Sequence, residues 1–67
     1  MTSVGERYRE HVLARYPDAD TDVLDEACRL LDEIDEAARR GAHELVIDGL
    51  MTRFNVCEFR LGMRVIH

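Results

Sequence analysis

The stretch Thr21-Asp22-Val23-Leu24-Asp25-Glu26-Ala27-Cys28-Arg29-Leu30-Leu31-Asp32-Glu33-Ile34-Asp35-Glu36-Ala37-Ala38-Arg39-Arg40 decides the fold. Within it Leu24, Ala27, Leu31, Ile34 and Ala38 recur at a 3-4-3-4 spacing, which places them on one side of a helix as an a/d seam. Val23, Leu30 and Ala37 widen the seam into a stripe broad enough to touch two neighbours. Asp20 or Thr21 is placed to cap the start, Asp22, Asp25 and Glu26 suit the positive end of the helix dipole, and Gly41 supplies the stop.

Upstream, Ser3 and Glu6 have the spacing of a capping box, so a first helix is expected from about Val4. Tyr8, Val12 and Tyr16 then share a face at i, i+4 and i+8. Pro17 ends that helix, and Pro17-Asp18-Ala19-Asp20 reads as a turn.

Downstream the period changes. Leu45-Val46-Ile47 and Leu50-Met51 flank Asp48-Gly49, a dipeptide suited to a type I′ turn, and the pattern predicts a β-hairpin over about Glu44 to Phe54. Asn55 and Glu58 repeat the capping-box spacing and open a last helix, along which Val56, Phe59, Met63 and Ile66 step 3-4-3. The expected fold is therefore mainly α with a small β-hairpin, ordered helix, long helix, hairpin, helix, in a single domain over residues 1–67. A chain of this size buries only about 60% of the surface that its unfolded form exposes. The stripe on the long helix is thus expected to need a second surface, supplied by oligomerisation, with Leu24, Ala27, Leu31, Ile34, Ala38, Phe59, Met63 and Ile66 as interface residues.

Composition narrows the function. The net charge is −5, with an acidic middle between weakly basic ends. This does not match the strong basic patch of a lone nucleic-acid reader. Any DNA contact needs arginines summed over several copies; Arg53, Arg60 and Arg64 offer a basic ridge for it, and the alternative is that they ion-pair with the acidic middle. No window approaches the roughly 18 apolar residues of a membrane span, and Met1 to Glu6 hold no apolar core of signal-peptide length, so a cytoplasmic chain is expected. Cys28 and Cys57 read as reduced, packed thiols. No two of Cys28, His43, Cys57 and His67 lie at zinc-motif spacing, and the acids of the long helix read as a solvated face and not as a catalytic pair. No metal, cofactor, small-molecule substrate or catalytic residue is expected.

Three segments in this order, Tyr8-Arg9-Glu10-His11-Val12-Leu13, then Tyr16-Pro17-Asp18, then Leu24 through Glu36, resemble the small terminase subunits of tailed phages. Glu58-Phe59-Arg60 and Arg64 resemble the arginine pattern of that family's last helix. Two features depart from the family pattern, since the segment before the last helix lacks the glycine-rich turn and the chain ends sooner. The resemblance implies a ring or other homo-oligomer that assists DNA packaging, with phage DNA and the large terminase subunit as partners. The alternative from the residues alone is a small acidic regulator or inhibitor, an antitoxin-like or DNA-mimic protein. It would present Asp25, Asp32 and Glu36 to a basic protein partner.

Overall fold

The computed structural model of the chain describes residues 2–62, which form three helices: α1 over Val4–Arg15, α2 over Thr21–Arg39 and α3 over Glu44–Arg60. The two N-terminal starts follow the capping chemistry of the sequence. Ser3 Oγ accepts from the Glu6 N–H, and the Asp20 carboxylate accepts from the N–H groups of Asp22 and Val23. Each satisfies donors that the first turn leaves without an intrahelical partner. The stop of α2 also lies where expected. Gly41 takes φ +72°, its N–H bonds the Ala38 carbonyl at 3.2 Å, and the Ala42 N–H bonds the Ala37 carbonyl at 2.9 Å, a Schellman closure that needs a left-handed residue.

The expected hairpin is not seen, and residues 44–54 lie within α3. Asn55 and Glu58, read as the opening of a separate helix, are interior to it. The reason is burial. Ile47, Leu50, Phe54, Cys57 and Leu61 recur at 3-4-3-4 along α3 and are the residues of this segment that are buried or half-buried toward the core, with Glu58 beside them. A two-stranded hairpin would split that set between two faces. Helical packing also outweighs the cost of about 1 kcal/mol for a glycine, Gly49, inside a helix. The start of α3 uses a residue outside the usual capping set: His43 Nδ1 accepts from the Leu45 N–H at 3.1 Å.

Both α1 and α3 pack on α2, which is the middle of the fold. Leu24, Ala27, Leu30 and Ala37 of α2 are fully buried among the described residues, together with Val12 of α1. Phe54 and Cys57 of α3 close on Ala27 and Leu30, with Tyr8, Val23, Leu31, Ile34 and Leu50 around them. The covered stripe of α2 therefore runs through Leu30 and Ala37. Leu31 and Ile34 are half-buried, and Ala38 is exposed. Leu24 and Ala27, expected to face another molecule, are sealed by the chain's own helices.

Two contacts fix how α1 sits. A Cβ on Gly5 would lie 2.5 Å from the Cys28 carbonyl oxygen of α2, so the glycine lets the first turn of α1 press onto the α2 backbone. Asp32 then reaches across and accepts from the Gly5 N–H at 2.9 Å and from the Ser3 hydroxyl at 3.2 Å. Tyr8 ties α1 to α3: its ring meets Phe54 edge-on at 5.3 Å, and its hydroxyl donates to Glu58 at 3.1 Å.

Gly5→Ala should destabilise the fold by about 1–3 kcal/mol through overpacking against backbone. Gly49→Ala, whose Cβ would meet nothing within 4 Å, should stabilise it in dilute solution by up to about 1 kcal/mol. Urea denaturation followed by circular dichroism reads both, and equal effects of one sign would show that the α1–α2 approach is not tight.

Alkaline pH should loosen the same junction. Burial first, then the charge and hydrogen bond of Glu58, hold the Tyr8 hydroxyl well above its ordinary ionisation range. Burial likewise raises the thiols of Cys28 and Cys57 from their ordinary 9.0. In each case the folded state favours the protonated form. The stabilisation is thus complete below the ordinary values and is lost as pH rises above about 9 to 10. Denaturant midpoints at pH 8 and pH 10.5 should fall for the parent chain, and fall less for Tyr8→Phe.

Candidate interaction surface

α3 is the helix whose two sides are both apolar. Opposite its core-facing set, Leu45, Gly49, Thr52, Val56 and Phe59 follow a 4-3-4-3 spacing and lie on one outward face. Leu45 is 75% exposed and Phe59 80% exposed, and Val56 is exposed beside them. The Thr52 hydroxyl donates to the Asp48 carbonyl one turn earlier at 2.9 Å, so its polar atom is satisfied within the helix. In the sequence the same spacing runs on to Met63 and Ile66, which lie outside the described residues, as does Arg64.

Polar and charged residues border this face unequally. Arg53 and Arg60 lie along one flank, and Asp48 and Asn55 along the other. Arg53 approaches Glu26 of α2 at 3.8 Å, and Glu26 also pairs with Arg29. Between α2 and α3, on the arginine flank, runs an open groove of about 460 Å³ lined by Asp22, Glu26, Arg53, Val56, Cys57 and Arg60. Its walls carry acids from α2 and guanidinium groups from α3, so the groove has no single sign of charge.

The acidic residues expected on one partner-facing surface have separate tasks. Asp25 is ion-paired with Arg9 of α1. Asp32 holds the first turn of α1, and Glu36 is exposed. Among the described residues no charged or polar side chain is fully buried, no group of three or more His, Cys, Asp or Glu could hold a metal ion, and no helix is long and apolar enough to cross a membrane.

Of the residues expected at an interface, Phe59 is on the outward face of α3, whereas Leu24, Ala27, Leu31 and Ile34 belong to or border the core, and Ala38 is exposed on α2. Leu45 and Gly49 read in the sequence as hairpin residues, and neither they nor Thr52 stand there as interface residues. Their signal was present in the 4-3-4-3 spacing but was superposed on the 3-4-3-4 spacing of the core-facing set, so the segment read as two apolar runs with no helical period.

No protein-family model, no curated protein and no solved structure matches the chain.

The division of labour among the acids is open to a direct check. Asp32→Ala should cost about 1–2 kcal/mol, because it strands the Gly5 N–H and removes an N-terminal cap contact. Glu36→Gln, at an exposed position, should stay within about 0.5 kcal/mol of the parent. Thermal denaturation of the two variants separates a fold-holding carboxylate from a solvated one.

Proposed function

We propose that this chain is a non-enzymatic phage or prophage assembly protein of the terminase-small-subunit kind, a homo-oligomer that assists DNA packaging by binding DNA and the large terminase subunit. The observation that carries the proposal is the outward face of α3. Leu45 and Phe59, 75% and 80% exposed, stand on one side of a helix whose other side already fills the core. A small protein that leaves such a face open is built to cover it on association. The short helix, turn and long helix of residues 4–39 carry the segments that resemble the terminase small subunits. Arg60 borders the outward face beside Arg53, which also approaches Glu26, and copies brought together would add the charge of each Arg60. Such summing suits a chain whose own net charge is −5.

The acidic-regulator reading draws less support from the geometry. Two of its three carboxylates, Asp25 and Asp32, are engaged with α1, and a variant that neutralised all three would disturb the fold before it tested a binding surface.

Sedimentation of the purified chain at tens of micromolar should give a defined oligomer, and a strict monomer would remove the proposal. The oligomer should bind duplex DNA with an affinity that falls as salt rises, at roughly 0.9 logarithmic units per phosphate neutralised. Replacing Arg53 and Arg60 together by alanine should flatten that slope. An unchanged slope would remove them from the DNA contact, and failure to bind either DNA or a large terminase subunit would leave an oligomer of another function.

A further inference from the structure

We infer that the outward face of α3 is a parallel helix–helix seam with α3 of a second copy, Gly49 against the partner's Gly49 and Thr52 against the partner's Thr52. The inference rests on the homo-oligomer reading above and deepens it by naming the contact and its direction.

Spacing comes first. Leu45, Gly49, Thr52, Val56 and Phe59 occupy the d, a, d, a and d positions of a heptad pattern on a helix of 17 residues, about 25 Å long. This is the pattern by which two helices stay in register along a shared line. Gly49 adds a second argument. Among the described residues a Cβ at this position would meet nothing within 4 Å beyond its own helix, so packing between the three helices does not account for a glycine in mid-helix. Opposite another helix, the missing side chain lets two backbones approach closely, while the large Leu45 and Phe59 fill the space at either end.

Charge decides both the occupant and its direction. In a parallel pair the residue just before an a position lies beside the residue just after the following d position of the other helix. Asp48 then meets the partner's Arg53, and Asn55 meets the partner's Arg60, twice over by symmetry. In an antiparallel pair each flank meets itself, so Arg53 and Arg60 would face the partner's arginines. Exposed contacts of this kind add little affinity, but they select orientation: the parallel arrangement sets Asp48 against the partner's Arg53 and the neutral Asn55 against the partner's Arg60, whereas the antiparallel one sets arginine against arginine. A second copy supplies the complementary carboxylate, Asp48, at the required spacing without any further partner being invoked.

Single-cysteine cross-linking reads the geometry. Under mild oxidation Gly49→Cys and Thr52→Cys should both give a disulfide-linked dimer on a non-reducing gel. They should do so on the order of tenfold faster, or more, than Ala14→Cys on the exposed side of α1, because only the seam holds the thiols at high effective concentration. The parent chain, with Cys28 half-buried and Cys57 buried, sets the background. Cross-linking of Thr52→Cys alone would indicate an antiparallel pair and overturn the inference, as would rates no greater than that of Ala14→Cys for both. Phe59→Glu should convert the sedimenting oligomer to monomer with its helical circular dichroism retained. An oligomer that persists in Phe59→Glu and fails to cross-link at Gly49→Cys sinks this seam and leaves the proposed function standing, whereas a monomeric parent chain sinks both.

Discussion

The apolar stripe of α2 has to serve two helices at once, and the rest of the molecule is arranged around that demand. Leu24, Ala27, Leu30 and Ala37 are covered because α1 and α3 both pack on α2. With so few large side chains in the core, close approach must replace bulk. Gly5 brings the backbone of α1 onto the Cys28 carbonyl, and small residues such as Ala27 and Ala37 keep the surface of α2 low. Dispersion contacts of this kind are individually weak and fall off steeply with separation. The polar contacts that hold the spacing, chiefly Asp32 to Gly5 and Tyr8 to Glu58, therefore act as positioning devices more than as independent sources of stability.

That arrangement explains where the acids of the middle segment go. Read as a linear string they form one charged surface. On the folded chain the helix turns them apart: Asp25 to Arg9, Asp32 to the first turn of α1, and Glu26 to the arginines at positions 29 and 53. An arginine on one helix and a carboxylate on its neighbour recur at both flanks of α2, so much of the local charge imbalance is resolved between helices. The remaining net charge of −5 sits largely on exposed positions such as Asp18, Asp22, Glu33 and Glu36, where it serves solubility.

Legibility in the sequence followed the same physics. The caps at Ser3 and Asp20 and the stop at Gly41 were readable because each depends on a few adjacent residues and on backbone donors that any helix end exposes. The course of α3 was not, because its fate is decided by what it packs on. Asp48-Gly49 has strong local preference for a tight turn, yet Ile47, Leu50, Phe54 and Cys57 can reach the α2 stripe together only from a helix. Local preference was worth about 1 kcal/mol and tertiary burial several times that. The candidate site suffered accordingly. Phe59 is legible as an outward residue, but the α2 stripe reads as open because residues 44–54, part of the helix that covers it, read in the sequence as a hairpin.

Covering α2 with α3 moves the question of the open surface outward without removing it. A helix that buries one face normally presents polar residues on the other, since water solvates them at no cost. In α3 the positions opposite the core are held by Leu45, Gly49, Thr52, Val56 and Phe59, and polar residues occur mainly on the flanks between the two faces. Such a helix gains from its inner face only what one side of contact provides, and keeps apolar area in water on the other. Among the described residues nothing lies over the outer face, and Leu45 and Phe59 stay exposed. In the proposed seam that face meets itself, with Asp48 of one flank set beside Arg53 of the partner's other flank.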